Sequence, residues 1–475
     1  VANGWAFYIN RKSAVGALLL RYALPSAVQT SAPAGSPPAG FAVLFRFIFC
    51  ADWRPLMSSI RRVVVTGLGA ITPLGSTAPA YWEGLRSGTS GAATITRFDA
   101  GKFKTRFACE VKGYDANNYF GRKEGPKMDL FTQFAVIASD EAIADSGLLA
   151  EGSGVDKDRV GVIWGSGIGG LKSLQEECFQ FGRGDGTPRY SPFFIPRMIA
   201  DSASGNISIK NGFRGPNFVT TSACASSNDA IIAAFNYLRL GMAEVVVTGG
   251  SEAAITESGI GGFNALKAMS ERNDAPEKAS RPYDKNRDGF VLGEGAGALV
   301  LEEYEHAKAR GARIYAELIG GGMSSDAYHI TAPDPTGSGV ELVMRNALRD
   351  AGIKPEEVDY INTHGTSTPL GDGAEIKAIE TVFGAHAEKL NISSTKSMTG
   401  HLLGGAGGIE AVACIMAMQH DMVPPTINLD TPDPEINQAL NFTPNVAQSR
   451  VVNVAMSNTF GFGGHNTSVI FRKLS

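Results

Sequence analysis

From residue 57 onward, short runs of nearly continuous apolar residues alternate with stretches whose apolar residues recur at helical spacing. Strands are predicted at 63–69 (VVVTGLG), 160–167, 217–223, 244–252, 297–304, 315–322 and 358–365, with a final pair in VVNVAMSNTF and NTSVIFRK. Several lack the polar alternation of a half-exposed sheet, as expected of strands covered on both faces. Helices are predicted over 129–147, which stops at Gly147, and over 228–241, 339–352 and 371–384. The alternation implies α/β layers with helices on both sides of the sheet. A coarse duplication is visible: each half opens on a strand that runs into a glycine-rich turn, GLGAITPLG and then GGGMSSD, and closes on a strand pair. The boundary is placed near 312, giving halves 57–312 and 313–475.

Residues 1–56 break this pattern. They hold one acid, Asp52, against Arg11, Lys12, Arg21, Arg46 and Arg54. SAPAGSPPAG (31–40) has the composition of a disordered tether, and AVGALLL (14–20) ends at Arg21, too short to span a bilayer. Three readings compete: a translated upstream region with the natural start at Met57, an acid-poor organelle transit peptide, and a signal or anchor. The first is preferred, so 1–56 is expected to be a non-core extension, disordered or not native.

Composition narrows the class. With 43% hydrophobic and 19% charged residues the chain has the balance of a soluble globular enzyme. A net charge of −4 gives no overall attraction to nucleic acid or anionic membrane, so an acidic partner would need a local basic patch. The five cysteines, at 50, 109, 178, 224 and 414, form no CxxC pair, which argues against zinc and for free thiols in a reducing compartment. Cys109, Cys178 and Cys414 read as small buried hydrophobes.

Two glycine motifs have bland readings. GSGIGG (165–170) follows a strand, but no acidic residue closes a second strand at dinucleotide distance; it reads as a tight turn with Ile168 projecting into a cavity. DKNRDGFVLGEG (284–295) spaces Asp284, Asn286, Asp288 and Gly289 like a calcium loop. Its twelfth position is Gly295, and Glu294 falls one residue early, so a hydrogen-bonded structural turn is expected.

Cys224 lies between a predicted strand and a predicted helix. A helix N-terminus there favours thiolate and can bring a cysteine pKa from ~8.5 into the ~3.5–7.5 range, although a buried structural cysteine fits the local sequence equally well. His364 in THGTSTPLGD and His401 in TGHLLGGAGG sit in small-residue turns beyond strands, with Lys396, Asp372 and Glu410 close in sequence. A nucleophile and two imidazoles on separate loops are the parts required for covalent acyl transfer and for stabilising a developing negative charge. His465, in GFGGHN, is ambiguous; the remaining histidines read as surface or loop residues.

The ordered set VVVTGLGAITPLG, SPFFIPRMIA, SACASS, RPYDKNRDGFVLGEGAG, NTHGTSTPLGD, KSMTGHLLGGAGG and NTFGFGGHN resembles the β-ketoacyl-[acyl-carrier-protein] synthases, most closely the bacterial type II, chain-elongating kind, over about seven-eighths of the chain. The resemblance implies a thiolase-like five-layered αβαβα sandwich of two similar halves, usually a cytoplasmic homodimer, that condenses a Cys224-bound acyl chain with malonyl-acyl carrier protein and releases CO2. His364 and His401 would assist decarboxylation, Lys396 would order the second histidine, and the Cys224 and Phe462 N–H groups would form the oxyanion hole, with Phe462 as the gate. Ile168, Phe194 (from a partner subunit) and Phe460 would line the substrate path, and Thr366 and Thr368 would bind the phosphopantetheine arm. Arg122, Lys123, Lys127, Arg189 and Lys267 would dock the acidic carrier; Pro126 stands where a further basic residue is common. No cofactor is implied beyond the carrier's own arm, and Asn362, Glu410, Ser457 and Asn458 match a structural monovalent-cation or water site. His465 replaces a usual threonine, and SACASS departs from the commoner TACTSG. The alternatives are a polyketide-type ketosynthase and, from another class, a cysteine-dependent thioester hydrolase, which would need neither the second histidine nor Lys396.

Overall fold

The computed structural model describes residues 60–474, so the expectation for 1–56 lies outside the described residues. Ten strands are joined in one sheet: β1 (Val63–Ile71), β2 (Val160–Gly165), β3 (Asn217–Thr220), β4 (Val245–Glu252), β5 (Gly295–Glu303), β6 (Ala316–Ser325), β7 (Tyr360–Asn362), β8 (Asn391–Ser393), β9 (Val454–Gly461) and β10 (His465–Arg472). The order is β8-β7-β9-β10-β6-β1-β5-β4-β2-β3. Reading outward from the middle, β1-β5-β4-β2-β3 and β6-β10-β9-β7-β8 repeat one topology. In each, the first three strands run antiparallel and the last two pairings are parallel. The halves meet edge to edge where Val63–Val65 pairs antiparallel with Ala316–Leu318.

Six helices complete the layers: α1 (Leu130–Asp145), α2 (Ser202–Asn211), α3 (Ser226–Arg239), α4 (Ser338–Ala351), α5 (Pro369–Phe383) and α6 (Ala406–His420). α3 and α6 lie between the two half-sheets, each touching strands of both. α1 and α2 cover the outer face of the first half; α4 covers that of the second and packs on α5. This is the five-layered arrangement, and the strand side chains divide accordingly. Ile163, Val246, Tyr360 and Ala455 point into the central core with Ile231, Ile409 and Val412. Val162, Trp164 and Val247 face α1, and Ile361 and Met456 face α4 and α5. Period-two alternation therefore exists in these strands, but both faces are apolar, which is why it is invisible as a polar pattern.

The paired glycine motifs have a packing cause. A Cβ at Gly69 would stand 2.0 Å from the Ala138 carbonyl oxygen of α1, and one at Gly322 would stand 2.3 Å from the Val343 carbonyl oxygen of α4. Each outer helix thus lies directly on its strand backbone. In the calcium-like segment the buried Asp284 accepts from the backbone N–H groups of Asn286, Asp430 and Thr431 and pairs with Arg281. Its oxygens are consumed by protein donors.

Candidate active site

The two central helices begin the same way. A single 3-10 turn precedes each, Ala223–Ala225 before α3 and Leu403–Gly405 before α6. The first residue of each turn has positive φ, 50° at Ala223 and 47° at Leu403. This sharp turn aims Cys224 at the centre of the molecule. Its Sγ lies 3.0 Å from Nε2 of His401, which the Lys396–Thr399 helical turn delivers from the second half. His364, just beyond β7, stands perpendicular to His401 with ring centroids 5.3 Å apart. Glu375 on α5 fixes it by accepting from the N–H groups of His364 (3.0 Å) and Gly365 (2.9 Å).

A cavity of about 570 Å³ opens on these groups. Ile168, Thr366, Thr368, Phe460, Phe462 and Lys267 line it together with Cys224, His364 and His401. The Thr366 and Thr368 hydroxyls are 3.1 Å apart. Phe460 lies against His364, and Phe290, which sequence reasoning missed, meets His401 edge-on. The GFGG loop approaches Cys224 closely: a Cβ at Gly461 would stand 2.9 Å from the Cys224 nitrogen. Only glycine leaves that N–H open, and the neighbouring Phe462 N–H favours the thiolate form of Cys224.

The electrostatics correct one expectation. The Cys224 thiol is not depressed at rest: burial pushes it up to about 12, the Lys396 charge and the Phe462 N–H pull the other way, and the Glu252 and Glu410 carboxylates add to the rise. Burial outweighs the helix end because the sulfur has almost no contact with water. Burial and the Lys396 charge hold His401 and His364 well below the ordinary imidazole value, so both rings are neutral near pH 7. The resting pair is a neutral thiol facing a neutral base.

Lys396 is almost wholly buried, and its Nζ pairs with Glu410 rather than with a ring nitrogen. Neither histidine Nδ1 has a protein partner. Lys396 therefore acts on the histidines through its charge. Asn362, Glu410 and Ser457 each retain one buried oxygen without a partner, and Asn362 and Ser457 sit side by side in register. That oxygen set fits a monovalent cation or water. The Asn458 Oδ1 already accepts from Ser468, so it adds no unpartnered oxygen to that set. Among the described residues no cluster of three or more His, Cys, Asp and Glu could hold a metal ion.

Other positions fall elsewhere. Phe194 is in the short helix Phe194–Met198, stacked on Tyr190 and absent from the cavity lining of its own chain. Arg122 and Lys123 are exposed in Ala116–Glu124; Lys127 pairs with Glu124, and Arg189 with Asp185. Cys109 and Cys414 are buried, but Cys178 is exposed, on the solvent side of Leu171–Arg183, contrary to its reading as a core residue. Sequence reasoning also missed Glu252. Its one signal is a lone acid ending the uncharged, valine-rich run VVVTGGSE.

Known proteins share this arrangement. The family model for the β-ketoacyl synthase N-terminal domain matches residues 60–307, and that for the C-terminal domain matches 315–430. The 3-oxoacyl-[acyl-carrier-protein] synthase 2 of Synechocystis sp. is 52% identical over 87% of this chain and 98% of its own length. That of Vibrio cholerae is 50% identical over 88% and 100%. Among solved structures, a β-ketoacyl synthase from Burkholderia phymatum superposes with a TM-score of 0.81 at 37% identity, covering 87% of this chain and all (100%) of that one. A type II polyketide ketosynthase, solved in complex with its acyl-carrier protein, gives 0.79 at 33% over 88% and 100%. On the matched halves, the duplicated topology and the Cys–His–His centre, this chain belongs to the β-ketoacyl synthase family.

Proposed function

We propose that the chain catalyses the decarboxylating Claisen condensation of fatty-acid elongation, joining an acyl group held on Cys224 to malonyl-acyl carrier protein. The observation that carries this is the 3.0 Å Cys224–His401 pair with His364 beside it, in a cavity that ends on the thiol. In the first half-reaction the Cys224 proton passes to Nε2 of His401 as sulfur attacks the acyl thioester. The oxyanion is held by the Cys224 and Phe462 N–H groups, and His401 returns the proton to the departing carrier thiol. Thioester exchange is nearly isoenergetic, so positioning and proton transfer suffice. In the second, the neutral rings of His364 and His401, the latter after its ring proton moves from Nδ1 to Nε2 by exchange with solvent, donate N–H hydrogen bonds to the malonyl thioester oxygen. The carboxylate leaves as CO2, the enolate carbon attacks the acyl-Cys224 carbonyl, and the 3-oxoacyl carrier departs, leaving a thiolate that reprotonates. The carrier's phosphopantetheine arm enters past Thr366 and Thr368, with Lys267 at the mouth and Arg122, Lys123, Lys127 and Arg189 meeting acidic carrier side chains.

A cytoplasmic homodimer is part of the same reading. Phe179, Phe181, Tyr190, Phe193 and Ile195 are exposed together around Phe194, an apolar surface suited to a second copy that would bring Phe194 to the partner's acyl cavity. No helix among the described residues is long and apolar enough to cross a membrane. A monovalent cation or water at Asn362, Glu410 and Ser457 would serve structure, without a role in either half-reaction. The halves 57–312 and 313–475 would act as one catalytic unit, the first carrying the nucleophile and the second the histidines.

The test is intact-mass spectrometry with a medium-chain acyl carrier protein. The parent gains the acyl mass, Cys224→Ser does not, and malonyl carrier protein then discharges the chain two carbons longer. Loss of the acyl mass to water without elongation would establish a hydrolase instead. Turnover only with polyketide carriers would move the chain to the ketosynthases of that pathway.

A further inference from the structure

The duplicated halves place two equivalent backbone cradles at the centre, and only one is open. Cys224 and Gly404 are counterparts: each is the middle residue of a 3-10 turn that opens on a positive-φ residue and runs into a central helix. The residues closing the counterpart strands β9 and β4 are Gly461 and Glu252. At Gly461 the missing side chain leaves the Cys224 N–H open. At Glu252 a carboxylate fills the equivalent space. One oxygen accepts from Gly404 N–H at 3.0 Å and Gly167 N–H at 2.9 Å. The other accepts from Ile168 N–H at 3.2 Å, Gly169 N–H at 3.3 Å and the Ser166 hydroxyl at 3.2 Å. Glu252 is wholly buried and pairs with no cation among the described residues, so its carboxylate is held by four backbone N–H groups and the Ser166 hydroxyl.

We propose that Glu252 is a positioning residue that plugs this second cradle and so ties the acyl-pocket wall at Ile168 to the loop that follows His401. The tie joins three loops. A Cβ at Gly404 would lie 2.1 Å from the Gly167 nitrogen, and one at Gly167 would lie 3.0 Å from the Ala223 carbonyl oxygen. The carboxylate thus sets the distance between Ile168, Leu403 and Cys224, all three of which line the cavity. The plug also leaves a single N–H cradle free for a thioester oxygen. This inference rests on the condensing reading only for its acyl-length arm.

Glu252→Gln separates positioning from general support, because the amide keeps the volume but turns an NH2 group toward backbone donors. Two readouts are taken. The first is the rate of Cys224 alkylation by iodoacetamide against pH, assigned by peptide mass so that exposed Cys178 does not contribute. The charged or titratable groups that act on the thiol are Lys396, Glu410, Glu252 and the adjacent His401. Removing one negative charge moves the profile to lower pH, read as alkylation about threefold faster at fixed pH for half a unit of movement. The second is acyl transfer to Cys224 across chain lengths. Chains too short to reach Ile168 load as in the parent, while longer chains load about tenfold more slowly. An unchanged alkylation profile with an unchanged length dependence overturns the proposal, as does uniform loss at every length. Should Glu252→Gln not fold, Ser166→Ala, which removes one donor, decides by the same length dependence: a smaller change in the same direction supports the plug, and a parental profile overturns it. If the parent itself accepts no acyl group, the condensing reading fails, and the alkylation profile alone still decides the role of Glu252.

Discussion

The two halves of this molecule share one topology and have opposite contents. In the first, the turn before the central helix presents a thiol, and Gly461, which closes β9 of the other half, lies against it. In the second, the equivalent turn presents Gly404, and Glu252, which closes β4 of the first half, fills the cradle with its carboxylate. The reactive groups are divided rather than duplicated: the first half supplies the Cys224 thiol, and the second supplies both imidazoles and the Lys396 charge. A site assembled at the junction needs both halves to be rigid, and the central helices, α6 buried on every side and α3 over most of its length, provide that rigidity.

The largest effect that tests this division is Cys224→Ala, which lowers condensation on the order of 10⁴-fold or more. Turnover near the parental rate would remove the nucleophile from the first half. Next come the two histidines, each worth about 10²–10⁴-fold on replacement by alanine. His401→Ala should slow both acylation and condensation, whereas His364→Ala should spare acylation measured by mass and slow carbon–carbon bond formation. Equal loss in both steps for both variants would erase the distinction between them.

The central layer is tested by Ile409→Ala in α6, expected to cost about 2–5 kcal/mol in urea unfolding. Ile330→Ala, at 70% exposure, should stay within about 0.5 kcal/mol. A smaller effect follows from charge. Lys396 holds both histidines below their ordinary value, so in Lys396→Met they rise toward it and become protonated at higher pH. The acid limb of the condensation profile moves upward in pH as a result; an unmoved limb would mean that Lys396 acts only by packing. The smallest is Arg122→Glu with Lys123→Glu, which should raise KM for the carrier about two- to tenfold with kcat kept, and leave acylation by a small pantetheine thioester unchanged.

How much was legible beforehand depends on where a residue's constraint lies. Strands such as Val63–Ile71 and Val245–Glu252 were readable as apolar runs, and α1, α3, α4 and α5 as helical spacing. α6 was not, because AGGIEAVACIMAMQH is buried on every side and carries no polar stripe from which to read a period. The three-residue strand β8 is too short to announce itself. Cys224, His364 and His401 stood out as chemistry-bearing residues among small ones. The raised thiol did not, since its cause is burial by segments distant in sequence. Lys396 was found, but its partner Glu410 was not assigned to it. Phe194 lies outside its own chain's cavity, stacked on Tyr190, which no local sequence pattern announces. Glu252 was passed over because an acid in a strand ordinarily marks an exposed position.

The three-residue seam between β1 and β6 bears on how the chain is made. β1 pairs with β5, whose register runs Val63 to Glu303, and with β6 at Ala316–Leu318. Both of its neighbours therefore emerge from the ribosome more than two hundred residues later. Until then VVVTGLGAI is a strand without edges to join, apolar on both faces and free of charge. Sheet closure of this separation is slow and leaves sticky surface exposed meanwhile. Of the described strands, the first to be synthesised waits longest for its partners, and that nine-residue apolar segment needs shielding in the meantime.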